Sequence, residues 1–141
     1  MNKNCTSLEQ SKKLIELGID VNTADMFWDT LFAKKPEAQV NNHHYIDEYD
    51  DEHKVPAWSL SALLDLLPSS LSLYPEATEE GIKEGKYRSS DLIASKEGYL
   101  RKRYDGDYQY RYDGIKVVGD FQSSLDATFE MVCWLLENKK I

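Results

Sequence analysis

The stretch YLRKRYDGDYQYRYDGIKVVGDF, residues 99–121, decides the fold. Tyr108, Tyr110 and Tyr112 alternate with Gln109 and Arg111. Successive side chains of a strand point to opposite faces, so this alternation predicts a half-buried strand with its tyrosines on one side. Asp105-Gly106 and Asp113-Gly114 flank it, and such pairs suit tight turns because glycine reaches positive φ without steric cost. YLRKRY, YQYRY and IKVVGDF therefore read as strands of an antiparallel meander, with Gly119 ending the last pairing. Upstream, DLIAS reads as a further strand joined through a Glu97-Gly98 turn, and LSLYPE as a short strand stopped by Pro75.

Apolar helical stripes supply the cover for such a sheet. In VPAWSLSALLDLLP, residues 55–68, Pro56 and Pro68 bracket a helix that Ser59 can cap and Trp58 can staple onto Leu63. Leu60, Leu63, Leu64 and Leu67 share one face at helical spacing. A last helix over Leu125 to Glu137 starts near Ser123 or Ser124 and carries Leu125, Phe129, Val132, Cys133 and Leu136 on a stripe that Met131, Trp134 and Leu135 widen. A first helix over 6–17 is opened by Thr6 with Glu9 as a capping box and closed by Gly18, with Ile19 folding back on Leu14. MFWDTLFA, residues 26–33, reads as a strand with a short helix as the alternative, 34–54 as an acidic His-containing loop, and 76–86 as a charged connection. The end of the first helix is similar to the end of an ankyrin repeat, but no second copy follows, and one repeat cannot bury its own faces. The expected fold is α+β: a small antiparallel sheet of about three to five strands with two or three helices packed mainly on one face, all within a single domain, 1–141.

Composition narrows the functions. The 141 residues carry a formal charge of -8, which disfavours partners bound through clustered Lys and Arg on a phosphate backbone. An acidic surface chiefly keeps a protein soluble, and it also permits nucleic-acid mimicry. No apolar run approaches a membrane span, and MNKNCTSLEQ has neither a secretory nor a transit pattern. The expected location is the cytoplasm, where Cys5 and Cys133 are read as free thiols, Cys133 as a buried inert one.

Two constellations could carry chemistry. His43, His44, Asp47 and His53, interspersed with Glu48, Asp50, Asp51 and Glu52, hold ligand types suited to a metal. Their spacing matches no established zinc or calcium pattern. The hairpin 99–112 interleaves Tyr108, Tyr110 and Tyr112 with Arg101, Arg103 and Arg111, a composition suited to stacking single-stranded nucleic acid or to anchoring a protein. Asp105, Asp107 and Asp113 neutralise its bases, so the protein partner is preferred. No GXSXG, GXGXXG or GXXXXGK[ST] motif occurs, so nucleophilic and phosphate-loop chemistry lack their signals. No cofactor and no enzymatic activity are expected.

The segments CTSLEQSKKLIELGIDVNTADM, VPAWSLSALLDLLP and LDATFEMVCWLLENKK resemble a group of small uncharacterised proteins of gut Bacteroides and their prophages or mobile elements. The matching residues are caps and apolar positions, so no site residue is carried across. The resemblance implies an accessory protein of phage or mobile-element origin. The expected function is a non-enzymatic binding or modulator protein acting on another protein. A metal-dependent enzyme at His43 to His53 and single-strand binding at 99–112 are the alternatives.

Overall fold

The structure is a computed structural model that describes residues 4–29 and 54–141, together with the backbone of residues 37–40. The described residues form four α-helices: α1 (Leu8–Glu16), α2 (Leu60–Leu66), α3 (Glu79–Lys83) and α4 (Ser124–Glu137). Seven strands accompany them: β1 (Met26–Asp29), β2 (Glu37–Val40), β3 (Lys54–Ala57), β4 (Ser70–Ser72), β5 (Ser95–Lys102), β6 (Tyr108–Tyr112) and β7 (Lys116–Phe121). The α+β class is as expected, but the strands divide into two antiparallel sheets, one ordered β2-β1-β3 and the other β4-β5-β6-β7. The second is the meander read from residues 99–121, extended by one short strand.

Helix α4 lies across β5, β6 and β7, and α2 packs against α4. Its Ser123 cap accepts from the Asp126 amide at 3.2 Å. Leu125, Phe129, Met131, Val132, Cys133 and Leu135 are all buried in one cluster with Leu63, Leu67, Tyr110, Tyr112 and Val118. This cluster is the core that the two apolar stripes predicted. In α2 the burial is narrower than expected: Leu63 is fully buried, whereas Leu64 is 37% exposed and Ala62 takes the inward position. Trp58 and Leu63, the residues of the expected staple, are both fully buried in the cluster.

The N-terminal cap differs from expectation by one residue. Ser7, not Thr6, caps α1, with Gln10 completing the capping box from its third position. Thr6 is instead a buried junction: its hydroxyl accepts from the Trp58 amide at 3.1 Å and bonds Ser11 Oγ at 2.8 Å, while its carbonyl accepts from Trp28 Nε1 at 2.8 Å. Gly18, at φ +91, ends α1 as expected, and the Ile19 amide reaches back to Leu14 O at 3.1 Å. Asp25 holds the start of α2, accepting from the Ser59 amide at 2.8 Å and from the Ser59 hydroxyl.

Other local expectations are corrected. Part of the segment read as a loop, residues 37–40, is β2, paired to β1. The charged connection contains α3, whose Thr78 cap accepts from the Gly81 amide at 3.0 Å. Asp91 and Leu92 fall in a 3-10 turn, Ser89–Leu92, and Ile93 ends it, rather than forming a strand. Gly98 is interior to β5 and not a turn, because it stands opposite Tyr112, whose ring fills the space of a side chain at 98. Gly119 does not end the pairing either: β7 bulges between Val118 and Phe121, partners of Tyr110 and Tyr108, with Gln109 packed where a Cβ at 119 would stand.

Candidate protein-binding face

The pleat sorts the meander into two faces. Leu100, Tyr110 and Val118 are register partners on the helix side, and Tyr110 and Val118 are buried there. Tyr99, Arg111 and Val117 are register partners on the opposite side, with Tyr99 40% and Val117 44% exposed. Arg101 stands opposite Gln109 on this outer face.

Six side chains of the outer region form one continuous hydrogen-bonded chain. Tyr99 OH donates to Asp113 Oδ2 at 2.9 Å, and Arg111 Nε donates to Asp113 Oδ1 at 2.9 Å. Arg111 Nη1 donates to Gln109 Oε1 at 3.1 Å, and Gln109 Nε2 donates to Asp120 Oδ1 at 2.8 Å. Arg103 Nη1 closes the chain on Asp120 at 3.0 Å. The relay Tyr99, Asp113, Arg111, Gln109, Asp120, Arg103 thus crosses β5, β6 and β7. Its bonds hold long side chains in defined positions, so little further ordering entropy would be lost in a contact made there.

The electrostatics follow from these bonds. Arg111 and then Tyr99 hold the Asp113 carboxyl below its ordinary range, and Gln109 and then Arg103 do the same for Asp120. The carboxylates in turn raise the Arg111 and Arg103 guanidiniums. Both ion pairs are substantially solvated, so their effect is orientation more than stability.

The expected binding residues are separated by this geometry. Tyr110 and Tyr112 are core residues, with ring centroids 5.6 Å apart, and burial raises both phenols. Their faces are not available for stacking a base, which corrects the grouping of tyrosines and arginines as one surface. Tyr108 is half-buried on the helix side, where Lys102 Nζ lies 5.6 Å from its ring centre. Arg103 and Arg111 are on the outer face but engaged by carboxylates, while Arg101 is exposed. Gln109 lies with Arg111 on this face, as the alternation predicts, and Asp113 engages Arg111, whereas Tyr99, Val117 and Asp120 join the face without a signal in the sequence reading. The alternation that placed Arg111 outward also places Tyr99 and Val117 there, once strand register is known.

His43, His44, Asp47 and His53 lie outside the described residues. Among the described residues no three His, Cys, Asp or Glu side chains gather as a metal site, and no helix is long and apolar enough to cross a membrane. Burial pushes the Cys5 thiol up to about 11 and the Cys133 thiol up to about 12, which suppresses the thiolate at neutral pH. The fold and this face define a small α+β protein with a polar, preorganised sheet surface. No protein-family model matches the chain, and no curated protein or solved structure is found to be similar to it.

Proposed function

We propose that this is a non-enzymatic binding or modulator protein that docks a second protein on the outer face of its four-stranded sheet. The carrying observation is the row Tyr99, Arg111 and Val117, in which two exposed apolar groups flank an arginine already fixed by Asp113. Tyrosine and arginine are favoured anchors of protein interfaces, and a fixed guanidinium binds with less entropy loss than a free one. A protein partner fits this face better than single-stranded nucleic acid, because two of its arginines are already matched by carboxylates and the chain carries a net charge of -8. A phage or mobile-element origin and a cytoplasmic setting, which the resemblance read from the sequence implies, are part of this proposal.

The test is affinity capture from the native host with the wild-type chain and a Tyr99→Ala/Val117→Asp variant side by side, with thermal unfolding to confirm that both are folded. A protein retained by the wild type and lost by the variant supports the proposal. Equal retention by both, or no retained protein, overturns it.

A further inference from the structure

Strand β5 outruns its neighbour. Ser70, Leu71 and Ser72 of β4 pair with Glu97, Lys96 and Ser95, so β4 covers only the first part of β5. The flanking bonds show which main-chain groups face β4: the Leu73 amide donates to Ala94 O and the Gly98 amide donates to Ser69 O, each at 2.9 Å. In an antiparallel strand the N–H and C=O of one residue point to the same side, and those of its neighbour to the other. Ala94, Lys96 and Gly98 therefore turn toward β4, and Leu100 and Lys102 belong to the same series. By then β4 has ended, and among the described residues no other strand takes its place. Among the described residues the N–H and C=O of Leu100 and Lys102 thus face an edge that no strand occupies, the template for an added strand.

The side chains along this edge select by charge. Arg101, Lys102 and Arg103 are consecutive, a run of three bases in a chain of net charge -8. Arg103 is held to Asp120, but Arg101 is exposed and faces Gln109 across the strands, not a carboxylate. On the helix side, Leu100 is half-buried and packs against the core cluster, and Lys102 beside it is drawn over the Tyr108 ring at 5.6 Å, which leaves the apolar flank at Leu100. Two copies joined edge to edge at this point would bring like charges together, which is unfavourable across a strand pair. A strand bearing carboxylates on one face and apolar groups on the other matches both sides.

We propose that residues 99–102 accept an extended segment of the protein partner as an added strand, with its acidic side chains beside Arg101 and its apolar side chains beside Leu100. This deepens the reading of the sheet as a protein-docking face by naming the recognition mode and the chemistry of the partner segment.

The test titrates the full, isotope-labelled chain with a capped peptide of alternating Glu and Val at low salt, and with a matching Lys and Val peptide. The Glu peptide is expected to shift the Leu100 and Lys102 amides and slow their hydrogen exchange, with about tenfold weaker binding by Arg101→Glu, a surface change whose fold is checked by the same spectrum. The Lys peptide is expected to bind at least about tenfold more weakly than the Glu peptide. An equal response to both peptides, or unmoved Leu100 and Lys102 amides, overturns the added strand. Shifts confined to Tyr99, Arg111 and Val117 also overturn it while leaving the docking face standing, and the capture experiment decides that face independently.

Discussion

Tyr112 lies over Gly98: the two are register partners on β6 and β5, and a Cβ at 98 would overlap the phenol ring. Tyr112 OH also donates to Pro68 O at 2.6 Å, tying the sheet to the chain that leaves α2. The absence of a side chain at 98 is thus what lets a fully buried tyrosine reach a main-chain acceptor.

Gly98→Ala is expected to destabilise by about 1–3 kcal/mol, the usual cost of forcing a methyl into an occupied position. Tyr112→Phe is expected to lose about 1 kcal/mol with the hydroxyl bond. Urea unfolding midpoints read both, and a Gly98→Ala protein as stable as wild type would contradict the packing.

Leu63→Ala and Leu64→Ala separate the two sides of α2. Leu63 is fully buried and Leu64 is 37% exposed, so the first change is expected to cost about 2–5 kcal/mol and the second less than about 1 kcal/mol. Equal losses would mean that α2 is rotated from the described orientation.

Thr6→Val keeps the volume of the side chain but removes the acceptor of the buried Trp58 amide and the partner of Ser11. A loss of about 1–3 kcal/mol is expected, because a buried donor is left unmatched. Thermal unfolding measured against Thr23→Val distinguishes the two tryptophan bonds, since Trp58 Nε1 donates to Thr23 Oγ1 at 2.9 Å.

Stability is expected to fall on the alkaline side. Burial holds the Cys5 and Cys133 thiols neutral in the fold up to about 11 and about 12, above their ordinary value of 9.0. A thiol whose folded pKa is raised contributes stability that is complete below the unfolded value and is lost as pH climbs through the folded one, here between about pH 9 and pH 12. Buried Tyr110 and Tyr112 act in the same direction. Melting temperatures measured across that window should drop, and a Cys5→Ala/Cys133→Ala protein should drop less steeply; a rise in the wild type would refute the assignment.

Periodicity and turn pairs made the meander and the two apolar helices legible, because β6 and α4 each bury one face and their residues show it. The short elements were hidden. Strand β2 is the four residues EAQV and α3 the five residues EEGIK, each too short for its alternation or helical period to stand out from a charged segment. Gly98 was misread because a glycine that admits a neighbouring ring looks, in sequence, like one that makes a turn. The outer face was half legible: alternation put Gln109 and Arg111 opposite the tyrosines, but their union with Tyr99, Asp113 and Asp120 required the register of three strands. The direction of the tyrosine face depended on α4, whose apolar stripe draws Tyr110 and Tyr112 inward.

The meander and α4 are neighbours along the chain, each strand pairing with the next and the helix following β7. The N-terminal ties are remote: Thr6 meets Trp58 across 52 residues and Gln10 meets Asp126 across 116. Closing such distances costs chain entropy before any contact rewards it. The sheet and α4 are therefore expected to hold together more persistently than the segment around Thr6. Native-state hydrogen exchange should show it, the Thr6 and Ser11 amides opening in a partial unfolding that leaves Tyr110 and Val132 protected. The segment around Thr6 would then be the part of the fold that opens most readily.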